Sequence, residues 1–376
     1  MDMLARKTLI HEWPRFLPAV VAVAFSGLLL LAQASLVLGI FGNAAVYITA
    51  SDADIWIGSP GTQSIDQGLP LNPDIEMPLR MDRGVAAVEP FYLRSAEWRS
   101  PEVHGGMSVA VSGVDVRPGS MLFARLLSPE MRERLAEIGT IVVDRADLHK
   151  LGTRQGGQAT LNGHPVRVIG VISGLRALDG ANVLASSDTA RLISTPDEGD
   201  LPTYFVAKVR NLSEAEAVRE RIANQRSFGA YEVWSSKEFS KKTQLYWLLQ
   251  TGAGAGVLFL AGVVFLAGAA ITSQTLIAAI AGSMRAYATL KAMGVSASSL
   301  RTVVLKQAFG VGVTGTALAA ILCVVLLTIA RGQNVPVRMT PAVATVCAIL
   351  VMAIALISGL FAVRRLHRED PASLLR

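Results

Sequence analysis

The sequence predicts a membrane protein: four transmembrane α-helices with a large α+β extracytoplasmic domain inserted between helices 1 and 2. Three observations carry that reading. The 376 residues are 51% hydrophobic and only 17% charged, with a mean hydropathy of +0.43, too apolar for an ordinary soluble chain. Uncharged runs occur at Phe16–Phe41, Thr243–Met284, Gln307–Ala330 and Met339–Val363. The charge is also segregated: residues 42–248 hold 22 basic and 25 acidic residues, whereas the remainder holds 13 basic and 4 acidic. A net +6 and a pI near 9.5 therefore come from the flanks of apolar runs, where basic residues border membrane helices, and not from a nucleic-acid-binding face.

The first run spans roughly 39 Å as a helix, at about 1.5 Å per residue, enough for a tilted bilayer crossing. Arg6, Lys7 and Arg15 precede it and Ala32-Gln33-Ala34 resembles a signal-peptidase site, but apolar sequence continues to Phe41, beyond the usual core of about 7 to 15 residues. It reads as a retained helix. The second run is too long for one span; its middle, about Leu248 to Ala270, reads as helix 2, continuing past the membrane surface. The third and fourth runs each match one span.

Short-segment Lys/Arg counts give the orientation, since a long insert is exempt from the rule. Arg6, Lys7 and Arg15, then Arg285, Lys291, Arg301 and Lys306, then Arg364, Arg365, Arg368 and Arg376 lie on one side. Arg331 and Arg338 alone lie on the other. Both termini are expected inside and the insert outside.

Within the insert, Ala45–Ile57 is rich in Val, Ile, Tyr and Trp and ends at Ser59-Pro60-Gly61, which predicts a strand pair. Met107–Val116, Thr140–Val143 and His164–Ile172 are further strand candidates, the last preceded by an Asn162-Gly163 hairpin turn. A strand–helix–strand unit is expected from Thr203–Val209, a helix opened by a Ser213–Glu216 capping box, and Ala230–Trp234. A second capping box, Ser235 to Glu238, predicts a helix running unbroken into helix 2, with Tyr246 and Trp247 marking the outer membrane interface.

Catalytic chemistry finds no support. The sequence has no Gly-Lys dipeptide, hence no phosphate-binding loop of the Gly-x4-Gly-Lys type, and no His-Glu-x-x-His. The five histidines lack ligand spacing, and Cys323 and Cys347 sit in apolar runs. No catalytic, cofactor-binding or metal-binding residue is assigned. Gly310-Val-Gly312-Val-Thr-Gly315 matches the dinucleotide fingerprint, yet no strand precedes it and no acidic residue lies between Glu238 and Glu369 to hold a ribose. Gly252, Gly256, Gly310, Gly312 and Gly315 read instead as helix-packing positions, the first two at small-x-x-x-small spacing. No charge occupies the middle of a span, so proton or ion relays have no candidate residue.

Between helices 2 and 3, Ser283–Met293 is expected to form a polar, basic helix ending at Gly294, with Ser296 or Ser298 capping the next. Alone it fits either a plain cytoplasmic loop or a docking element for a cytoplasmic partner. Here Arg285-Ala-Tyr-Ala-Thr-Leu-Lys-Ala-Met-Gly294 resembles the Arg-Glu-x-Ala-x-Leu-Lys-Ala-Leu/Met-Gly segment of FtsX/MacB-type (type VII) ABC transporter permeases. The tail Asp370-Pro371-Ala372-Ser-Leu-Leu375-Arg376 resembles the Asp-Pro-Ala-x-x-Leu-Arg ending of that family. Ala53-Asp54-Ile-Trp56-Ile-Gly-Ser-Pro60-Gly61-Thr62 is most similar to the DevC-type branch. The family's acidic residue after Arg285 is Ala286 here.

The resemblance implies a non-catalytic permease subunit in the bacterial inner membrane, a homodimer working with two copies of a cytoplasmic ABC ATPase that carries the ATP and Mg. It implies a periplasmic adaptor and a TolC-like outer-membrane channel as further partners, and export of a lipid or other amphiphile. The alternative is a non-transporting FtsX-like mechanotransducer that regulates a cell-wall hydrolase. An anchored enzyme has no supporting residues. Arg285, Tyr287, Leu290, Lys291, Met293 and Gly294 become the ATPase-coupling residues, and Ser235, Glu238, Tyr246 and Trp247 the stalk. The organisation is then a cytoplasmic N-terminus 1–15, helix 1 over 16–42, a MacB-like periplasmic domain 43–242, and stalk with helix 2 over 243–282. A cytoplasmic coupling helix 283–300, helix 3 over 301–330, a periplasmic loop 331–340, helix 4 over 341–363 and a cytoplasmic tail 364–376 follow.

Overall fold

The computed structural model describes residues 13–178, 180–195, 199–225, 229–282, 289, 296–333 and 335–368. The chain divides into two compact units, Ile40–Gly254 and the pair Met1–Gly39 with Ala255–Arg376.

Helix α1 (Trp13–Asn43) leads into the first of these, the outer domain. Ala45–Thr49, expected as strand, is instead a helical turn, α2 (Val46–Thr49). Packing overrides its β-branched composition: Val46, Tyr47 and Ile48 are all buried, and the Tyr47 ring lies 6.2 Å from those of both Phe91 and Phe123. The Arg125 guanidinium and backbone N–H donate to the Thr49 and Ala50 carbonyls, satisfying the end of the turn.

Nine strands occur among the described residues: β1 (Ile55–Gly58), β2 (Val85–Ser100), β3 (Val103–Val114), β4 (Thr140–Asp144), β5 (Gln158–Leu161), β6 (His164–Ile172), β7 (Ala181–Ser186), β8 (Tyr204–Val209) and β9 (Glu232–Ser235). The order β3-β7-β4-β6-β5-β2-β8-β1-β9, with β3 also paired to β2, closes six of them into a ring. Alternate residues of all six fill its interior, including Trp98, Val109, Val111, Ile141, Val143, Leu161, Val168 and Val183. The β5–β6 hairpin turns at Asn162-Gly163, both at positive φ (48° and 82°), as the sequence predicts.

β2 belongs to both halves of the domain. Its residues from Tyr92 onward pair with β3, while Val85–Phe91 pair with β8 in a four-stranded antiparallel sheet β2-β8-β1-β9. One face of that sheet, with Ile55, Ile57, Phe205, Ala207 and Val233, packs on Val218 and Ile222 of helix α3 (Ala215–Asn224). The cap differs from the expected Ser213 box: Asn211 accepts from the Ser213 N–H, and a 3-10 turn at Leu212–Glu214 precedes α3. β8 and β9 flank α3 in sequence but are not neighbours, because β1 lies between them. The other face carries Trp56, Phe91, Tyr204, Val206 and Trp234, which with Tyr47, Phe123 and Phe239 form an aromatic core.

Helix α4 (Ser236–Leu249) follows β9 directly. It does not run unbroken into helix 2. It ends at Leu249, and α5 (Gly252–Gly282) begins after Gln250-Thr251. Thr251 causes the break: its hydroxyl donates to the Trp247 carbonyl (2.6 Å) and accepts from the Gly254 N–H (3.1 Å), capping α5. The close approach requires glycine, since a Cβ on Gly254 would stand 2.2 Å from the Leu248 oxygen.

In the second unit α1 and α5 join α6 (Ala297–Gly332) and α7 (Pro341–Arg368), giving four helices long and apolar enough to cross a membrane. Ser296 caps α6 by accepting from the Ser299 N–H. Phe16, Ala19, Val23, Leu276, Ile280, Val304, Ala308, Val311 and Val351 form its core.

Candidate functional site

The root of the outer domain, where the chain enters through residues 44–58 and leaves through α4, gathers the stalk residues. Ser235 caps α4 by accepting from the Glu238 N–H at 3.2 Å. This starts the helix at the sheet edge and turns Phe239 inward, where its ring stacks on Trp234 and lies about 6 Å from Trp56 and Tyr204. The two crossings are tied together there: the Ser236 N–H donates to the Asp54 carbonyl (2.9 Å) and its hydroxyl to that of Ala53.

A loop from Ser59 to Gln67 then grips the rest of α4. The Ile65 N–H donates to the buried Thr243 hydroxyl (3.3 Å), and the Gln67 amide donates to the Tyr246 hydroxyl (2.6 Å). The Trp247 indole N–H is shared by Ser64 Oγ and Asp66 Oδ1, each at 3.1 Å. Tyr204 reaches the same loop, donating to the Ile65 carbonyl at 2.7 Å, and burial pushes its phenol well above the ordinary value. Lys242 stands 4.9 Å from the Trp234 ring centroid and 3.6 Å from Glu232. The structure thus places Glu238, Tyr246 and Trp247 on one docked helix capped by Ser235, with the polar ends of both aromatics taken by the domain's own loop.

A second buried junction escaped the sequence reading. Glu89 on β2 is 5% exposed and accepts from the N–H groups of Met121 (2.7 Å) and Leu122 (3.3 Å) and the Ser120 hydroxyl (3.1 Å). Burial raises its carboxyl above the ordinary value against those donors. The segment it pins continues to Phe123, whose N–H donates to Ser51 beside α2. A polar residue amid strand-forming ones was the available signal.

The packing glycines separate. A Cβ on Gly312 would meet Met352 of α7 at 2.8 Å, and one on Gly315 would meet Val23 of α1 at 2.6 Å, so the two face different neighbours. Gly310 is half-buried. Gly252 and Gly256 have open space around them within the described chain. Arg285, Tyr287, Leu290, Lys291, Met293 and Gly294 lie outside the described residues. Among the described residues no group of three or more His, Cys, Asp or Glu side chains could hold a metal ion.

An arrangement of four membrane-length helices, with a large α/β domain set between the first and second and docked on its own exit helix, defines a polytopic membrane protein built around an outer domain. Residues 258–371 match the family model for the FtsX-like permease C-terminal region. No curated protein sequence matches it. Among solved structures, the periplasmic region of MacB from Actinobacillus actinomycetemcomitans is similar at 15% identity and TM-score 0.35, covering 50% of this chain and 92% of that one. The extracellular domain of the noncanonic ABC-type transporter YknZ from Gram-positive bacteria is similar at 12% identity and TM-score 0.32, covering 48% and 98%. A domain of a permease protein from Porphyromonas gingivalis gives 11% identity and TM-score 0.32, covering 49% and 91%.

Proposed function

We propose that this chain is the membrane subunit of a type VII ABC transporter, in which a separate ATPase drives movement of the outer domain. The observation that carries the reading is the FtsX-like permease match over residues 258–371, which includes the Arg285–Gly294 segment. Two permease copies and two ATPases form the working complex in an inner membrane, with both termini cytoplasmic and the outer domain periplasmic. Arg285, Tyr287, Leu290, Lys291, Met293 and Gly294 receive the ATPase's displacement. The docked helix α4 supports the outer half of this reading: a helix held by Phe239, Thr243, Tyr246 and Trp247 transmits a pull or twist to the sheet rather than sliding past it. Export of a lipid or other amphiphile, with an adaptor and a TolC-like channel as in DevC-type systems, is the proposed output.

The experiment is affinity purification of the full-length chain from its native membrane in mild detergent. The expected result is a co-purifying nucleotide-binding subunit in equal amount, ATP turnover on reconstitution in lipid, and an adaptor in the same complex. A cell-wall hydrolase in place of the adaptor would favour the regulatory branch. Absence of any ATPase from an intact, folded preparation would overturn the proposal.

A further inference from the structure

Near the middle of the membrane unit, three polar groups on two helices form a closed chain. The Thr272 hydroxyl of α5 donates to the Ser26 hydroxyl of α1 at 3.1 Å, and Ser26 donates in turn to the Gly268 carbonyl of α5 at 3.0 Å. Thr272 is 1% and Ser26 7% exposed. Gly268 and Thr272 stand one turn apart on α5, so Ser26 is held between them. A Cβ on Gly268 would lie 3.2 Å from the Ser26 Cβ, so the absence of a side chain there brings the two helices together.

The surroundings make this contact directional and hard to replace. The residues about it are Leu30, Val264, Phe265, Ala269, Val351 and Ile354, and the space left among them is about 10 Å³. That is at the lower limit for one water molecule, so the hydroxyls bond to one another in a closely packed setting. Sliding α1 along α5 by one helical turn, roughly 5.4 Å, would strip Ser26 of its donor and acceptor together in an apolar setting. Slow packing drift is allowed by methyl contacts alone; it is not allowed by this chain of hydroxyls.

α1 precedes the outer domain in the chain and α5 follows it, and the joint at Gln250-Thr251 interrupts the path from α5 to α4. We propose that the Thr272–Ser26–Gly268 chain is a catch that fastens α1 to α5, so that the two move as one body and the displacement enters the outer domain through both of its chain crossings. Ser26 and Thr272 are positioning residues in this account, which rests on the ATP-driven reading above. The α5–α4 joint then serves to take up bending, while α1 carries the share of motion that a jointed rod loses.

The test is a cross-link at the catch. Ser26→Cys with Thr272→Cys is made in the full chain, on a background of Cys323→Ala and Cys347→Ala, and the complex with its ATPase is reconstituted in lipid. Oxidation by copper phenanthroline should join α1 to α5, and the cross-linked complex should keep ATP turnover within about twofold of the reduced one. Failure to cross-link, or a tenfold loss of turnover that reduction restores, would overturn the proposal, since helices that must separate cannot tolerate the bond. Spin labels at Phe25 and Leu266 give a readout that needs no ATPase. Thr272→Ser should keep a narrow label–label distance distribution, and Thr272→Val should broaden it; equal widths would refute the catch even if ATP turnover were never observed. Absence of turnover in the unsubstituted chain, with the spin-label result as expected, counts against the ATP-driven reading and not against the catch.

Discussion

The ring of Phe239 lies flat on that of Trp234, their centroids 4.6 Å apart and their planes 10° from parallel. Trp234 lies in the last strand of the sheet and Phe239 in the first turns of the exit helix, so this stack joins the outer domain to the element that leaves it. Phe239→Ala should cost the domain about 3 to 5 kcal/mol, the range for emptying a buried aromatic site. Phe239→Leu should cost less than half of that. Urea unfolding of the outer domain measures both; a loss under 1 kcal/mol for the alanine variant would mean that α4 is not anchored through this ring.

The domain's limits follow from the grip on α4. Because Thr243, Tyr246 and Trp247 are held by the Ser59–Gln67 loop, a fragment spanning Ala45–Leu249 should be soluble and unfold in one cooperative step. A fragment ending at Lys242 lacks those contacts and should melt lower. Equal melting temperatures would show that the loop contributes nothing to the docked helix.

Glu89 gives a pH signature. Its native carboxyl is raised above the ordinary value of 4.5 by burial, so the folded domain binds this proton more tightly than the unfolded chain does. Stability from this group is therefore present at low pH and lost as pH rises from the unfolded value through the native one. The stability difference between wild type and Glu89→Gln, measured by urea unfolding of the fragment, should shift against the wild type across that window. A difference constant between about pH 4 and 8 would contradict the assignment.

Orientation is open to chemical labelling. Gln63, Ala281 and Gln333 are exposed, and single cysteines at each, without Cys323 and Cys347, sample both expected sides. An impermeant maleimide should reach Gln63→Cys and Gln333→Cys in sealed cells, and Ala281→Cys only after lysis. Labelling of Ala281→Cys in sealed cells would reverse the topology.

Composition and run length were enough to place four helices, because twenty apolar residues have few other folds open to them. The hairpin at Asn162-Gly163 was legible for a similar reason: two adjacent positive-φ residues admit one tight turn. β2 was not, since Glu89 and Pro90 break its apolar alternation at the point where the strand passes from the sheet to the ring. The helical turn at Val46–Thr49 and the joint at Gln250-Thr251 were also hidden. The first is imposed by Phe91, Phe123 and Arg125, which are distant in sequence. The second depends on a threonine cap inside an uncharged run that hydropathy alone reads as continuous. The polar contact of Ser26 with Thr272 left no trace in spacing, because it joins residues 246 positions apart.

In the proposed function an ATPase drives the chain through the segment Arg285–Gly294. In the helix expected from the sequence, Tyr287, Leu290 and Met293 would fall at i, i+3 and i+6, close to one face, and packing of such a face should outweigh exposed ion pairs, which contribute about 0 to 1 kcal/mol each. The most direct measurement is ATP turnover in lipid, with co-purification of the ATPase, for Leu290→Glu and Lys291→Ala in the full-length complex. Leu290→Glu should lose ATPase coupling while the permease still inserts and dimerises, and Lys291→Ala should stay within a few fold of wild type. Wild-type binding and turnover in Leu290→Glu, with both lost in Lys291→Ala, would contradict the account.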